Sequence, residues 1–338
     1  MKFSVSSGEL LARLQTMGKI IEDKPSVPAL ANFLFSVKGG RLVLTAANNE
    51  MRIVSSIEIN NLEGGDSDIC IPGAKLTDYI KNLAEQPITF SIPDGSVTLE
   101  IHSLSGKSMQ NCIPADDYPA EQEMEQDVNK FEISEEALLA GISSTVFATA
   151  ADEIRPVMNG ILFDIEPGKV SFVATDTHKL VRYIRFDVRT GDLTSSFVLN
   201  KKPANVLKSI LGKSDSMVRV SFGSKNVLFE SSAYRYYCRL TEGNYPQYKS
   251  VIPANNDAKV VVNRADFIKA VLRTTVYVDA TKLVKCELFS NSIQISTQDL
   301  DFSCSANEVL PCEYDGPQMS IGFSSEHLTG ALNNIDAQ

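Results

Sequence analysis

The sequence repeats itself, and this internal repeat limits the possible fold more than any other feature of the chain. The stretch NFLFSVKGGRLVLTAANNEMRI from Asn32 matches GILFDIEPGKVSFVATDTHKLV from Gly160 at an offset of 128 residues. A weaker third copy, KCELFSNSIQISTQDLDF from Lys285, matches the first at an offset of 251 residues. Each copy alternates apolar and polar residues on both sides of a tight turn, which is the pattern of a β-hairpin. The repeat therefore predicts three successive copies of one structural unit.

Each predicted hairpin lies between two amphipathic segments that have apolar residues at helical spacing. In the second copy, Ser134 precedes Glu135 and Glu136, so a capping residue is followed by acids in the first turn, where they suit the helix dipole. The segments before the hairpins are 6–21, 134–148 and 263–276, and those after them are 73–84, 200–213 and 324–335. We therefore expect two helices in every copy.

Further strands follow the second helix in the first two copies, ITFSI with VTLEI and MVRVSF with VLFES. The third copy reaches Gln338 just after its second helix, before any equivalent strands. These patterns predict an α+β fold of three repeated domains, each with two helices and two antiparallel sheets, and with the third incomplete at the C-terminus. The expected domains are 1–125, 126–255 and 256–338. Hairpins that resemble one another by chance are the alternative, but the order of helices and hairpins recurs as well.

The composition is that of an ordinary globular protein, with 43% apolar and 22% charged residues. No apolar run approaches the roughly 18 residues that cross a bilayer, and the start lacks a signal peptide, so we expect a cytoplasmic protein without membrane contact. The six cysteines form no CxxC pair, and the three histidines are not at metal-ligand spacing. We therefore expect reduced thiols, no metal and no cofactor.

Positive charge concentrates in the predicted helices. The six helical segments together carry a net charge of +5, whereas the whole chain carries −10, which leaves −15 for the remainder. Basic helices on an otherwise acidic chain are what a protein needs in order to contact DNA phosphates with its helices alone. The alternative is that lysines such as Lys201 and Lys208 only form a solvated helix face.

The chain lacks the motifs of common enzyme classes. Phosphate-binding glycine loops, a GxSxG elbow and an HExxH helix are all absent. Asp176 and His178 could orient an imidazole on an extended segment, so a hydrolase is one alternative, although no nucleophile accompanies them. A repeat scaffold that binds peptides but not DNA is a second alternative. We expect a protein that is not an enzyme.

Several segments resemble the β subunit of bacterial DNA polymerase III, the DNA sliding clamp family. The similarity rests on MKFSV, SVPALANFLFSV, RPVMNGILF, VATDTHKL and YPQYKSVIP, in that order along essentially the whole chain. The resemblance implies a DNA clamp fold and a processivity factor that encircles duplex DNA and tethers the polymerase. It also implies a head-to-tail homodimer, whose contacting edges we expect around Lys107–Asn111 and Asp299–Ser305.

The resemblance also implies two sets of binding residues. One faces double-stranded DNA, and the other forms a pocket for short linear peptides of the DNA polymerase catalytic subunit and the clamp loader. The implied DNA-binding residues are Lys24, Arg155, Lys201 and Lys202. The implied pocket residues are Met158, Thr175, Thr177, His178, Lys179, Leu180, Pro246 and Val251. Leu180 and Val251 could instead belong to the core. The family often has Gly or Ser in place of Thr177 and Arg in place of Lys179, which leaves the peptide preference open.

Overall fold

The computed structural model describes residues 1–93, 96–151, 154–299 and 303–337. These residues contain six α-helices, two from each copy of the repeat. The helices are α1 (Ser7–Met17), α2 (Gly73–Lys81), α3 (Glu135–Thr145), α4 (Lys201–Ile210), α5 (Arg264–Thr274) and α6 (Ser325–Asn333). The six predicted helices are all present. No described helix is long and apolar enough to cross a membrane.

The strands alternate with the helices along the chain. In the first copy they are β1 (Lys2–Ser6), β2 (Asn32–Lys38), β3 (Arg41–Ala47), β4 (Met51–Glu58), β5 (Asn60–Glu63), β6 (Ser67–Pro72), β7 (Pro87–Ser91), β8 (Thr98–His102), β9 (Lys107–Asn111) and β10 (Ile113–Pro114). In the second they are β11 (Asn129–Ser134), β12 (Gly160–Glu166), β13 (Lys169–Thr175), β14 (Leu180–Arg185), β15 (Val188–Arg189), β16 (Ser195–Asn200), β17 (Met217–Phe222), β18 (Asn226–Glu230) and β19 (Arg235–Arg239). In the third they are β20 (Val261–Val262), β21 (Leu283–Phe289), β22 (Ser292–Asp299), β23 (Cys304–Glu313) and β24 (Met319–Ser324).

Side-chain caps fix where most helices begin. Ser6, Ser134, Asn263 and Ser324 each accept a hydrogen bond from the backbone N–H three residues later, and Asn200 accepts one from Lys202. The predicted C-terminal ends were too long, because the last residues tighten or leave the helix. The first helix was expected to reach residue 21, but α1 ends at Met17 and a 3₁₀ turn follows over Gly18–Ile20.

The repeat offsets hold at the level of strand register. Phe35 lies opposite Leu44 in the first hairpin, and Phe163 lies opposite Phe172 in the second. All four side chains are fully buried, because this face of each hairpin packs on the helices. In the third copy, Cys286 lies opposite Ile295, as the offset of 251 predicts. The three hairpins are therefore copies of one unit.

The sheets correct one prediction, because they are not confined to single copies. A ten-stranded sheet runs through both of the first two copies in the order β10-β6-β2-β3-β4-β19-β18-β17-β11-β15. The copies join where β4 pairs with β19, with Ile53 opposite Tyr236. Each edge strand satisfies the backbone groups that the other leaves unpaired. The remaining sheets are β5-β1-β7-β8-β9, β14-β13-β12-β16 and β20-β23-β22-β21-β24.

The chain divides into two compact units. The first comprises Met1–Asp176 and Val181–Asn244, and the second comprises Thr177–Leu180 and Tyr245–Gln338. One continuous apolar core extends through the first unit, since the shared sheet joins its two copies. The second unit has its own core, in which Phe267 and Val271 of α5 pack with Val284 and Ile295.

Candidate functional site

Three lysines line one cavity in the first unit. Lys19, Lys201 and Lys202 surround a space of about 570 Å³, together with polar residues that include Asn159 and Asn205. Lys201 and Lys202 were predicted from the sequence, whereas Lys19 was not singled out. The only sequence signal for Lys19 was its contribution to the positive charge of the first helical segment. The cavity is a concentrated positive surface with neutral hydrogen-bonding groups, which suits an anionic ligand.

The start of α4 positions two of these lysines. The Asn200 side chain accepts a hydrogen bond from the Lys202 backbone N–H at 3.0 Å, and the Lys201 N–H donates to the Asn159 carbonyl at 2.9 Å. Both lysines therefore stand in the first turn of the helix, where the dipole adds partial positive charge. The ammonium group of Lys202 lies 3.4 Å from Glu22. Both side chains are largely exposed, so a phosphate can compete with this ion pair.

The other two predicted DNA-facing residues lie in loops. Lys24 is exposed on the segment that also carries Glu22, between α1 and β2. Arg155 is exposed just before the 3₁₀ turn Pro156–Met158, and its Nη1 lies 3.9 Å from the Met158 sulfur. Neither Lys24 nor Arg155 lines the cavity of Lys19. The structure therefore brings together Lys201 and Lys202 in one cavity and leaves the other two predicted residues on loops outside it.

The predicted peptide-pocket residues are divided between the two units. Met158 and Thr175 belong to the first unit, and the other six belong to the second. Thr177 has a backbone φ of 80°, a left-handed conformation that is unfavourable for a β-branched residue. A glycine or serine at this position, as the resembling family often has, avoids the branched side chain.

Within the second unit, His178 meets a residue that sequence reasoning missed. Its ring stacks on that of His327 in α6, with centroids 6.2 Å apart and an angle of 24° between the planes. Next to His327, a hydrogen bond from Lys282 lowers the pKa of Glu326, with smaller contributions from His327 and Lys179. Because His178 and His327 lie far apart in sequence, no local pattern could have paired them.

The segment after Pro246 combines a buried anchor with an exposed apolar side chain. Tyr248 is buried, and the Lys249 ammonium lies 5.7 Å from the centre of its ring. Val251, at the end of the same 3₁₀ turn, is 67% exposed. Leu180 is half-buried. The core interpretation of Val251 is therefore wrong, and its side chain is accessible to a ligand.

The part of the chain that the structure describes contains no side-chain cluster that could support metal binding or catalysis. No group of three or more His, Cys, Asp or Glu side chains is close enough there to hold a metal ion. Asp176 and His178, the residues of the hydrolase alternative, lie in the loop between β13 and β14, and the His178 ring stacks on that of His327. Burial raises the pKa of the Cys70, Cys112 and Cys286 thiols to about 11, so these cysteines are protonated rather than nucleophilic.

The fold is that of the sliding clamps. A solved clamp from Pseudomonas aeruginosa, bound to griselimycin, superimposes with a TM-score of 0.92 at 25% identity and covers 99% of this chain and 90% of its own. A clamp from Bartonella birtlesii, also bound to griselimycin, gives 0.90 at 25% identity, covering 100% of this chain and 91% of its own. The beta sliding clamp of Escherichia coli is 26% identical over 341 residues, which are 100% of this chain and 91% of the relative.

Sequence models of three domains of one family cover nearly all of the chain. The N-terminal domain of the DNA polymerase III beta subunit matches residues 1–122, the central domain matches 132–247, and the C-terminal domain matches 249–338. The chain belongs to the DNA polymerase III beta subunit family. Its function is that of a DNA sliding clamp, a processivity factor of replication without catalytic activity. The hydrolase alternative is therefore wrong.

Proposed function

We propose that two copies of this chain close head to tail into a ring around double-stranded DNA in the cytoplasm. Each copy contributes three clamp domains, at 1–125, 126–255 and 256–338, with two helices apiece. Lys19, Lys24, Arg155, Lys201 and Lys202 face the phosphates, which holds the protein on DNA without reading its sequence.

The observation that supports the ring is the junction between the first two copies of the repeat. There, β4 of the first copy pairs with β19 of the second, and Arg235 lies opposite Val54. The repeat offset of 128 places β9 at the position of β19, and β9 is an edge strand with no outer partner among the described residues. The offset of 251 places the start of β23 at the position of β4. A second chain can therefore continue the same pattern by pairing its β23 with β9.

This pairing has a defined register. The offsets set Lys107 opposite Ser305 and Ser108 opposite Cys304 of the other chain. The expected edges were Lys107–Asn111 and Asp299–Ser305, of which residues 300–302 lie outside the described residues. Because β9 and β23 are different surfaces, the contact is heterologous. Each chain has three domains, and we propose that two chains joined by such contacts complete the ring.

The second part of the proposal concerns the peptide partners. Met158, Thr175, Thr177, His178, Lys179, Leu180, Pro246 and Val251 form the site for short peptides of the DNA polymerase catalytic subunit and the clamp loader. The relatives solved with griselimycin support a ligand-binding site in this family. The exposed Val251 and the anchored turn before it provide the kind of apolar contact that a short hydrophobic motif needs.

A disulfide trap tests the ring. We expect Ser108→Cys to cross-link with the native Cys304 of a second chain, since directly opposed residues of antiparallel strands have Cα atoms roughly 4.5–5.5 Å apart, within the range of a disulfide. After mild oxidation at micromolar concentration, non-reducing electrophoresis should show a covalent dimer.

Two controls define the result. Met109→Cys is adjacent but points to the opposite face of β9, and Ser108→Cys combined with Cys304→Ser lacks the acceptor, so neither should cross-link. Only monomer from Ser108→Cys, with sedimentation of the unmodified chain also showing only monomer, would refute the ring.

A further inference from the structure

The first unit contains a second cavity. Its lining residues are those of the first copy that correspond, through the repeat, to residues of the proposed peptide site in the second copy. An offset of 128 carries Met158, Thr175 and Thr177 to Leu30, Ala47 and Asn49. The same offset carries residues 178–180 to residues 50–52, and the Tyr-Pro pair at 245–246 corresponds to that at 118–119 at an offset of 127. All seven counterparts of Met158, Thr175, residues 177–180 and Pro246 line one cavity of about 150 Å³.

Part of the lining of this cavity is apolar and held in place. Leu30, Ala47 and Met51 are almost fully buried, so only one face of each is presented to the cavity. The Arg52 guanidinium donates hydrogen bonds to the carbonyl oxygens of Pro119 and, at 2.8 Å, of Ala120. The part of the cavity wall that Pro119 and Ala120 form is thereby fixed against β4. A cavity near 150 Å³ has room for a group about the size of benzene, which corresponds to one aliphatic side chain, and Leu30, Ala47 and Met51 provide its apolar contacts.

The rim is polar, and it carries an acidic residue where the other site has a histidine. The second copy has His178 and Lys179, whereas the first has Glu50 and Met51 at the same positions. The Asn48 side chain accepts hydrogen bonds from the Glu50 and Met51 N–H groups at 2.9 and 2.8 Å, which holds this loop in a turn. The Glu50 carboxylate is exposed and makes no ion pair within the part of the chain that the structure describes.

We propose that this cavity is a second peptide site, which takes a short segment that inserts one aliphatic side chain and places a lysine or arginine beside Glu50. The inference rests on the proposed function in one respect, because the peptide class follows from the repeat-related site around His178. The choice of a basic neighbour follows from the exposed carboxylate of Glu50 on the rim, whereas the Arg52 guanidinium keeps its charge but directs donors at the Pro119 and Ala120 carbonyl oxygens.

Methyl NMR of the full chain tests the proposal. The probes are acetyl-Lys-Leu-Lys-amide and, as the matched control, acetyl-Glu-Leu-Glu-amide. We expect the methyl signals of Leu30, Ala47 and Met51 to shift saturably with the basic peptide, and the acidic peptide to bind at least about threefold more weakly, as for an exposed ion pair. Glu50→Gln should remove this preference and Glu50→Lys should reverse it. Both substitutions are at an exposed rim position, so the fold is retained.

The same spectra separate this inference from the proposed function. The methyl groups of Leu180 and Val251 report the site around His178. Shifts at Leu30 and Met51 without shifts at Leu180 and Val251 support the second site while the first fails. No saturable shift at Leu30, Ala47 and Met51 up to millimolar peptide overturns the inference, whatever happens at Leu180. A preference unchanged by Glu50→Lys overturns it as well, because the cavity then does not select by the rim charge.

Discussion

At the scale of single residues, Thr177 is held in an unfavourable backbone conformation. Its φ of 80° is in the region that glycine adopts without steric cost, whereas a branched Cβ is strained there. The residue lies immediately before His178, at the point where the chain enters the second compact unit. Strain of this kind is retained where the surrounding structure determines the conformation, and such positions cluster at binding sites.

Replacing this residue should therefore stabilise the chain. We expect Thr177→Gly to raise the free energy of unfolding by about 1 kcal/mol, since strain in this region costs of order 1–3 kcal/mol and the greater freedom of unfolded glycine offsets part of the gain. Denaturant unfolding measures the difference. Thr177→Ser, which keeps the hydroxyl but loses the branch, should give a smaller gain. A glycine variant less stable than the threonine parent would show that the conformation is not strained.

The sequence predicted part of the candidate site. Lys201 and Lys202 were implied by the resemblance to the clamp family, the positive charge of their helical segment agreed with that role, and both line one cavity. Lys19 and His327 were missed because each acquires its partners from a distant part of the chain: Lys19 lies beside α4, and His327 stacks on His178. Periodicity gives the face of a helix that a residue occupies, but it does not give the element that the face meets.

At the scale of elements, the linker between the first two copies is fastened to the sheet. The Glu125 carboxylate accepts hydrogen bonds at 3.0 Å from the Ser224 and Lys225 N–H groups, in the turn between β17 and β18. Upstream, Glu121 pairs with Arg235 at 3.0 Å, and the Tyr237 hydroxyl donates to Gln122. The linker is therefore an ordered strap along the shared sheet.

The strap has a testable pH dependence. The Ser224 N–H first, and then the Lys225 N–H, lower the pKa of Glu125 in the folded chain. Such a group stabilises the fold above its unfolded pKa of roughly 4.3, and the contribution is lost as the pH falls through the lower folded value. We expect Glu125→Gln to lower the melting temperature at pH 7 and the difference to vanish in acid. Glu123→Gln, an exposed neighbour, is the control. A difference that grows on acidification would contradict the assignment.

Gly160 shows how closely strands approach at the start of β12. A Cβ at this position would lie 2.7 Å from the Leu199 carbonyl oxygen of β16, and this backbone atom has no room to move. We expect Gly160→Ala to lower the free energy of unfolding by about 1–3 kcal/mol, the range for overpacking. Gly18→Ala is the matched control, since its nearest neighbour is 3.6 Å away. Equal stability of the two variants would show that the strands can separate without loss.

The elements themselves were predictable, but their assembly was only partly so. Capping residues and apolar spacing located all six helices, and the repeat offsets gave the hairpin register. The ten-stranded sheet was not predicted, because the pairing of β4 with β19 depends on which backbone edges meet and alternation along each strand does not specify this. The ends of α1, α3 and α5 were placed too far along because a 3₁₀ turn follows each of them and keeps a similar apolar spacing.

At the scale of the whole molecule, charge is separated between helices and the rest of the chain. Electrostatic binding to phosphates releases counterions, so each lost contact lowers the slope of log affinity against log salt by roughly 0.9. We expect joint replacement of Lys24, Lys201 and Lys202 by Ala to flatten this slope by up to about 2.7, without changing the sequence preference. Fluorescence anisotropy with duplex DNA over a range of salt concentrations measures it.

The control for this experiment uses lysines outside the proposed surface. Lys38 ends β2, Lys225 is in the turn between β17 and β18, and Lys259 precedes β20, so their replacement removes the same charge elsewhere. We expect the control variant to keep the slope of the unmodified chain. A slope that falls equally in both variants would mean that net charge, and not these positions, governs binding.

The junction between the first two copies also has a consequence for where the proposed ring would be weakest. Within one chain, the β4–β19 ladder is backed by a continuous polypeptide and by contacts between the sheet and the strap, in which Arg52 donates to the Ala120 carbonyl oxygen, Glu121 pairs with Arg235, and Glu125 accepts from the Ser224 N–H. In the proposed ring, the seam between two chains would have an equivalent ladder but no covalent bridge. A force that parts the proposed ring would therefore act on its two short seams, while the junctions inside each chain stay closed. We expect the proposed ring to open at these seams, so that DNA can enter without the unfolding of any domain.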